Sequence, residues 1–375
     1  MEFIDLATQQ KRILDKIEAN IKAVLNHGKY IMGPEVKVLE DRLAAYVGVK
    51  HAVSCASGTD ALLMALMAYK IGPGDAVLTT PFTFIATAEV ISILGATPIF
   101  IDIDPETYNI DPHKIKEALG KIKEPSLKPK AIIAVNLFGL PADYDAINEI
   151  AKDNNLIIIE DAAQSFGAEY KGRKSCSFGD IACTSFFPAK PLGCYGDGGM
   201  CFTNEAQIET FLKSIRVHGQ GNHKYDNVRI GINGRIDTMQ AAILLAKFDI
   251  FSDEIKMRQE AAIRYSTLLS SIAFLKAPVI PDEYQSAWAQ YSILAENEKQ
   301  REMLLSALNK EKIPSAIYYP KPLHQQEAFS FLGYKKGDFP VSEDAAARIF
   351  SLPMHPYLKE EDQVKIADVL KNAIY

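Results

Sequence analysis

The chain has 375 residues, of which 48% are hydrophobic and 23% charged, and its net charge is −6. These values are typical of a folded globular protein and argue against disorder. The acidic balance disfavours a nucleic-acid partner, and no apolar run approaches the roughly 18 residues of a membrane span. The N-terminus lacks the features of a signal peptide, so a soluble cytoplasmic protein without a membrane partner is expected.

The cysteines and histidines carry no metal or disulfide pattern. Five cysteines form no C-x-x-C pair, and seven histidines are scattered without a metal-ligand spacing. The expectation is reduced thiols and no metal.

Short apolar segments alternate with helical patterns in the first two thirds of the chain. The predicted strands are His51–Cys55, Ala76–Thr80, Pro98–Asp102, Ala131–Asn136, Leu156–Glu160, Asp180–Phe187 and Gly199–Thr203. The predicted helices are Asp60–Tyr69, Ile85–Leu94, Tyr144–Asp153 and Ala206–Arg216. Segment Leu156–Ile159 is continuously apolar, as burial on both faces of a parallel sheet requires. The pattern predicts an α/β fold with a mostly parallel, seven-stranded sheet between helices.

A long helical pattern begins near Thr238 and runs towards Leu268. It is expected to bridge into a second unit, because a chain of this length exceeds what a single hydrophobic core usually supports. The predicted division is a large domain over 1–250 and a smaller C-terminal α+β domain over 251–375.

Ligands of parallel sheets bind beyond the carboxyl ends of the strands, so polar residues that follow strands are the first candidates. Ser57, Gly58 and Thr59 follow the first strand and open a helix. Free backbone N–H groups and the helix dipole favour an anion such as phosphate there. Plain helix capping explains the same residues equally simply.

A carboxylate and an amide, Asp161 and Gln164, follow the strand that ends at Glu160. A carboxylate at a buried strand end is costly unless it meets a cation or several donors. A pyridinium cofactor would supply that cation. A solvated strand end or a helix cap is the alternative interpretation.

Lys190 is a single lysine within an apolar, glycine-rich segment, 184–199. Desolvation lowers the pKa of a lysine and frees its amine to attack a carbonyl group. The glycines do not form the G-x-G-x-x-G pattern of dinucleotide binding, which argues against a nicotinamide-dependent dehydrogenase.

Several segments in the same order resemble the DegT/DnrJ/EryC/StrS family of sugar aminotransferases. They are Gly33-Pro34-Glu35, Ser57–Leu62, Glu160–Gln164, the Lys190 segment and Tyr319-Pro320. The resemblance covers nearly the whole chain. It implies the fold type I architecture of pyridoxal-phosphate enzymes, with pyridoxal 5′-phosphate as cofactor.

The resemblance also implies the roles of the cofactor residues. Lys190 would hold the cofactor as a Schiff base and shuttle the proton, and Asp161 would keep the pyridine nitrogen protonated. Gln164 would contact the 3-hydroxyl side of the ring, and Phe84 would stack on the ring, although core packing is an alternative for Phe84.

Gly58, Thr59 and Ser185 would bind the phosphate, together with Asn233 from a neighbouring subunit. Asn233 therefore implies a homodimer with shared active sites.

The segments around Lys190, Asn233 and 352–356 most resemble the branch of the family that aminates C3 of UDP-2-acetamido-2-deoxy-ribo-hex-3-uluronate for bacterial surface polysaccharide. L-glutamate would be the amino donor. The planar guanidinium group of Arg235 suits a carboxylate of the sugar or of glutamate. The alternative for Arg235 is a salt bridge at an interface or on the surface.

Tyr30, Tyr318 and Tyr319 match segments that contact the sugar. Tyr318 stands where the uronate branch is expected to have a histidine, and a tyrosine cannot supply a cation near neutral pH.

Two alternatives follow. One is an aminotransferase for a TDP- or UDP-linked 3- or 4-keto-6-deoxy-sugar, which needs no partner for a sugar carboxylate. The other is a binding protein that senses nucleotide-sugars without turnover, which would have no need of a proton-shuttling lysine.

Overall fold

The computed structural model describes residues 1–122 and 127–373. The helices of these ranges are α1 (Leu6–Arg12), α2 (Leu14–His27), α3 (Pro34–Val47), α4 (Gly58–Ala68), α5 (Ala86–Ile93), α6 (Pro112–Lys121), α7 (Tyr144–Asn154), α8 (Ala206–Ile215), α9 (Thr238–Leu269), α10 (Glu298–Lys310), α11 (Pro340–Arg348) and α12 (Glu360–Asn372). The strands are β1 (His51–Cys55), β2 (Asp75–Thr79), β3 (Thr97–Phe100), β4 (Lys128–Val135), β5 (Ile157–Asp161), β6 (Glu169–Tyr170), β7 (Arg173–Lys174), β8 (Ile181–Ser185), β9 (Gly199–Thr203), β10 (Tyr284–Gln285), β11 (Tyr291–Leu294) and β12 (Ile349–Leu352).

A seven-stranded sheet with the order β1-β9-β8-β5-β4-β2-β3 forms the centre of the fold. The pairs from β8 through β3 are parallel, whereas β9 is antiparallel to both of its neighbours. Each predicted strand overlaps one of these seven strands. The predicted mostly parallel α/β fold is therefore confirmed.

Neighbouring residues of β5 pack into different cores on the two faces of this sheet. Ile159 lies in a core with side chains of α4 and α8. Ile158 lies in another core with Tyr144 and Ile147 of α7. Because both faces are covered by helices, both residues must be apolar, which explains the unbroken apolar run of this strand.

Helix α9 carries residues of two cores along its 32 residues. Its first half contributes Leu244 and Phe251 to a core on the sheet. Its second half contributes Tyr265 and Leu269 to a C-terminal core that also includes residues of β11, β12, α10 and α12. The predicted boundary near residue 250 falls inside this continuous helix, and the division into 1–250 and 251–375 stays a prediction.

The described ranges lack two features of other protein classes, a membrane-spanning helix and a metal-binding cluster. No helix there has both the length and the apolarity that crossing a bilayer requires. Residues 1–122 and 127–373 also contain no group of three or more His, Cys, Asp or Glu side chains suited to a metal ion.

Candidate active site

Asp161 ends β5 at the carboxyl edge of the sheet, where it is 5% exposed. Its carboxylate accepts a hydrogen bond from the Thr87 hydroxyl at 2.8 Å and one from the Ala163 N–H at 3.2 Å. Burial raises the pKa of Asp161, because two neutral donors only partly replace water. The site therefore presents a desolvated carboxylate suited to a cation.

The preceding carboxylate, Glu160, points to the other side of the sheet and is fully buried. It accepts hydrogen bonds from Asn136, Ser175, Cys176 and Phe178 at 2.7 to 2.8 Å. Adjacent residues of a strand face opposite sides, so this acid is part of the protein interior and does not line the site.

Lys190 lies in the connection between β8 and β9, where it is partly buried. Its backbone N–H donates to the Phe187 carbonyl at 2.9 Å, which fixes a tight turn beneath the side chain. Burial lowers the pKa of the Lys190 amine, and the negative charge of Asp161 opposes this effect. The lowered pKa increases the share of neutral, nucleophilic amine near neutral pH.

The turn between β1 and α4 forms a second part of the site. The Ser57 side chain caps α4 by accepting from the Asp60 N–H at 3.0 Å. Gly58 opens the helix, and a Cβ atom placed on it would lie 2.6 Å from Cβ of Ser185, at the end of β8. Thr59 follows and is partly buried. The structure thus brings Gly58, Thr59 and Ser185 together at a helix N-terminus, where backbone N–H groups favour an anion.

Gln164 and Tyr319, both predicted for the site, are in direct contact. Its Oε1 accepts from the Phe138 N–H at 2.6 Å, and its Nε2 donates to the Tyr319 hydroxyl at 3.0 Å. Burial raises the pKa of Tyr319, which keeps its phenol protonated. The Tyr319 oxygen accepts from Gln164, so its own O–H remains a donor.

The structure leaves two predicted aromatic residues exposed, Phe84 at 56% and Tyr30 at 52%. Phe84 precedes α5, and its carbonyl accepts from the N–H of Thr87, whose hydroxyl binds Asp161. Its exposed ring excludes simple core packing as its role. Tyr30 lies against the start of α9, where its carbonyl accepts from the Thr238 N–H at 2.9 Å.

Arg235 and Asn233 contact each other in this chain. Arg235 Nη2 donates to Asn233 Oδ1 at 2.5 Å, while Arg235 Nε is buried without a hydrogen-bond partner within 1–122 and 127–373. The carbonyl of Gly234, between them, accepts from the Ala56 N–H at 3.0 Å. Both side chains therefore lie on a segment that this hydrogen bond holds next to the turn at Gly58.

Tyr318 is partly buried between aromatic neighbours. Its ring centroid lies 6.4 Å from that of Phe3 and 5.9 Å from that of Tyr319. This contact brings the N-terminal segment beside a residue predicted to contact the sugar.

Thr87 is a site residue that the sequence patterns do not single out. It is buried, and its hydroxyl is a donor to Asp161. Thr87 lies in the predicted helix Ile85–Leu94, and a threonine within a helix gives no signal of a contact with a distant carboxylate.

These residues fit pyridoxal phosphate on three structural grounds. Because Gly58 has no Cβ atom, the N-terminus of α4 packs directly against Ser185, and the backbone N–H groups there suit a phosphate. The desolvated carboxylate of Asp161 matches a pyridinium nitrogen, and the Lys190 amine has the lowered pKa that bond formation with an aldehyde needs.

Comparison with known proteins gives concordant matches over most of the chain. The sequence profile of the DegT/DnrJ/EryC1/StrS aminotransferase family matches residues 11–371. The chain is 50% identical over 358 residues to the UDP-2-acetamido-2-deoxy-3-oxo-D-glucuronate aminotransferase of Pseudomonas aeruginosa, with 96% of each chain covered. It is 41% identical to the UDP-N-acetyl-3-dehydro-alpha-D-glucosamine 3-aminotransferase of Acidithiobacillus ferrooxidans, over 99% of this chain and 97% of that one.

Solved structures agree with these matches. A DegT DnrJ EryC1 StrS aminotransferase from Brucella abortus superposes with a TM-score of 0.95 at 51% identity, over 99% of this chain and 98% of that one. The structure of NtdA from Bacillus subtilis with bound cofactor PMP superposes with a TM-score of 0.87 at 28% identity, over 99% and 83% of the chains. PMP is the amine form of pyridoxal phosphate. The chain belongs to the DegT/DnrJ/EryC1/StrS aminotransferase family and is a pyridoxal-phosphate-dependent sugar aminotransferase.

Proposed function

We propose that the protein transfers the amino group of L-glutamate to the C3 ketone of UDP-2-acetamido-2-deoxy-ribo-hex-3-uluronate, for bacterial surface polysaccharide. The observation that carries this proposal is the 50% identity, over 96% of both chains, to a Pseudomonas aeruginosa enzyme named for a UDP-linked 3-oxo-glucuronate. In the proposed reaction, glutamate leaves as 2-oxoglutarate and the sugar ketone becomes an amine.

The described geometry supports a division of labour among the cofactor residues. When bound, pyridoxal phosphate supplies an electron-accepting ring and carries the amino group between the two substrates. Asp161 would keep the ring nitrogen protonated through a charge-assisted hydrogen bond. Lys190 would bind the cofactor covalently, and its amine would move protons at the substrate carbon.

The remaining contacts position the cofactor and the sugar. Gly58, Thr59 and Ser185 would bind the phosphate, Phe84 would stack on the ring and Gln164 would contact its 3-hydroxyl side. The substrate contacts in this proposal are the side chains Tyr30, Arg235, Tyr318 and Tyr319.

We also propose a homodimer in which Asn233 of a second copy completes the phosphate site. Its exposed position on the chain supports this role. A cytoplasmic location is proposed because the five cysteines are buried and free, as in a reducing compartment.

Incubation with nitrogen-15-labelled glutamate and the keto-uronate tests the reaction. Mass spectrometry is expected to find the label in the UDP-sugar product and 2-oxoglutarate as the co-product. Label that stays on glutamate, with the sugar unchanged, would contradict this substrate pair.

Gly58→Ala is expected to weaken cofactor affinity about tenfold, because the added Cβ would lie 2.6 Å from Cβ of Ser185 and displace one side of the phosphate turn. Titration of the apo-protein with pyridoxal phosphate measures the change.

Gly120→Ala is the matched control, since a Cβ atom there meets nothing within 4 Å among residues 1–122 and 127–373. This variant should bind the cofactor with unchanged affinity. Equal affinities for the two variants would remove the Gly58 turn from the phosphate site.

Arg235→Ala is expected to lower kcat/KM for the keto-uronate about 50-fold, because a charge-assisted hydrogen bond to a carboxylate is lost. The glutamate half-reaction, measured alone, should change less than about twofold if Arg235 serves the sugar. A large loss in the glutamate half-reaction would instead assign Arg235 to the donor carboxylate.

Arg42→Ala serves as the control, because Arg42 forms an exposed ion pair with Asp249 at 2.7 Å. Such pairs contribute little, so its kinetics should match those of the wild type. If the Arg235 variant also matches the wild type in both half-reactions, Arg235 contacts neither substrate.

A 6-deoxy-keto-sugar is the second candidate substrate, and Tyr318 favours it. Burial raises the pKa of Tyr318, so this residue offers a neutral hydroxyl where a cation would suit a uronate. A higher kcat/KM for a UDP- or TDP-linked keto-6-deoxy-sugar than for the keto-uronate would select this candidate.

A further inference from the structure

The loop that carries Lys190 is hydrogen-bonded to α9 through the backbone of Tyr195. The Tyr195 N–H donates to Oε1 of Gln240 at 2.9 Å, and its carbonyl accepts from Nε2 of Gln240 at 3.4 Å. A side chain of α9 thus binds both backbone polar groups of a residue five positions after Lys190. The placement of this loop depends on α9.

Lys247 contacts the same tyrosine from two turns further along α9, since residues seven apart share a helix face. Its side chain is 1% exposed, and Nζ lies 4.3 Å from the centroid of the Tyr195 ring. In the described ranges, Nζ is buried without a hydrogen-bond partner. The face of the Tyr195 ring is therefore the immediate counterpart of this ammonium group.

Burial and two neighbouring groups have opposite effects on the pKa of Lys247. The pKa of Lys247 is lowered to about 8, because burial outweighs the opposing effects of Glu254 on α9 and of Cys194 in the loop. Glu254 is itself engaged, because both of its oxygens accept hydrogen bonds from Gln9. Lys247 therefore interacts with the loop mainly through Tyr195.

The energetics indicate that this lysine is not present for stability. A buried ammonium group without hydrogen bonds costs free energy, and an aliphatic side chain of similar length would avoid that cost. Features that cost stability are expected where function requires them.

The loop is tight enough to transmit a displacement of Tyr195 to Lys190. The Cys194 N–H donates to the Phe186 carbonyl at 2.8 Å, and the Lys190 N–H donates to the Phe187 carbonyl at 2.9 Å. A Cβ atom on Gly193 would lie 2.5 Å from the Pro188 carbonyl oxygen, so the chain segments on either side of Lys190 are in close contact.

We propose that Lys247 is a positioning residue, which holds the Tyr195 ring and thereby the loop that presents Lys190 to the cofactor. The proposal rests on the proposed role of Lys190 as the cofactor-binding lysine. Lys247 touches neither cofactor nor substrate in this account, and acts through Tyr195.

The test compares Lys247→Met, Tyr195→Leu and the double variant with the wild type. Its main readout is the rate at which apo-protein captures pyridoxal phosphate covalently, followed by absorbance and trapped with borohydride. Thermal midpoints of the apo-proteins, and kcat and KM for the sugar, are measured alongside. Lys174→Met is the matched control, because Lys174 Nζ lies 4.6 Å from the centroid of the Tyr46 ring, outside the candidate site.

Lys247→Met is expected to capture the cofactor about tenfold more slowly, because a desolvated cation–π contact is lost. Its thermal midpoint should equal or exceed that of the wild type. Its kcat should fall while its KM for the sugar stays the same. The double variant should be no slower than the slower single variant, because both changes break one contact. Lys174→Met should capture the cofactor at the wild-type rate.

Capture by Lys247→Met at the wild-type rate would overturn the proposal. A slower rate with a matching drop in the thermal midpoint would overturn it as well, since it would mark a purely structural lysine. Additive losses in the double variant would show that Lys247 and Tyr195 act independently, which would contradict the proposal. Peptide mapping of the trapped wild type separates this from the proposed function, because a cofactor found away from Lys190 would refute that function whatever Lys247 does.

Discussion

Lys190→Ala is expected to lower kcat by about 10,000-fold, the upper end of the contribution of a positioned acid–base group. The variant loses both the amine that binds the cofactor covalently and the group that moves protons. The phosphate turn and Asp161 are untouched, so pyridoxal phosphate should still bind noncovalently. Single-turnover kinetics with glutamate measures the loss, and mass spectrometry after borohydride treatment should find no cofactor attached.

Lys130→Ala is a suitable control, since Lys130 pairs with Asp75 at 3.1 Å on neighbouring strands, outside the candidate site. It should retain the wild-type rate and the cofactor adduct. A Lys190→Ala protein that turns over normally, or still carries the adduct, would place the reactive lysine elsewhere.

Asp161→Asn is expected to lower kcat about 100- to 1000-fold, as for the loss of one preorganised electrostatic contact. The amide preserves the shape of the side chain but cannot keep a pyridinium nitrogen protonated. The apo-variant should be at least as stable as the wild type, because it no longer buries a carboxylate whose pKa is raised by desolvation. Steady-state kinetics and thermal denaturation of the apo-protein report the two effects separately.

Glu160→Gln is the matched control, a neighbouring buried acid with four donors of its own. Its amide N–H₂ group would face N–H donors, so this variant should lose stability while its folded fraction keeps normal turnover. Were Glu160→Gln to lose as much turnover as Asp161→Asn, the special role of Asp161 would be refuted.

Local sequence patterns predicted the central sheet well. The run at Leu156–Ile159 is apolar on both faces because α4 and α8 cover one side and α7 covers the other. Parallel sheets also gather their ligands at one edge, so the residues following the strands predicted the neighbourhood of Asp161 and the Gly58 turn without knowledge of the strand order.

Contacts between distant segments could not be predicted in the same way. The hydrogen bond from Gln164 to Tyr319 joins residues 155 positions apart, and the pattern around either residue contains no information about the other. The contact of Lys247 with Tyr195 could not be predicted either. From the sequence alone, a lysine in a long helix is expected to be exposed to solvent. The roles of both pairs follow from tertiary packing alone.

The absorbance of the purified protein with pyridoxal phosphate tests the central claim most directly. Glutamate should bleach the visible band of the bound cofactor, and the keto-uronate should restore it, because one site performs both half-reactions. Bleaching that only a keto-6-deoxy-sugar reverses would keep the aminotransferase and change its substrate. A band that glutamate leaves intact would contradict the account and favour a protein that binds nucleotide-sugars without turnover.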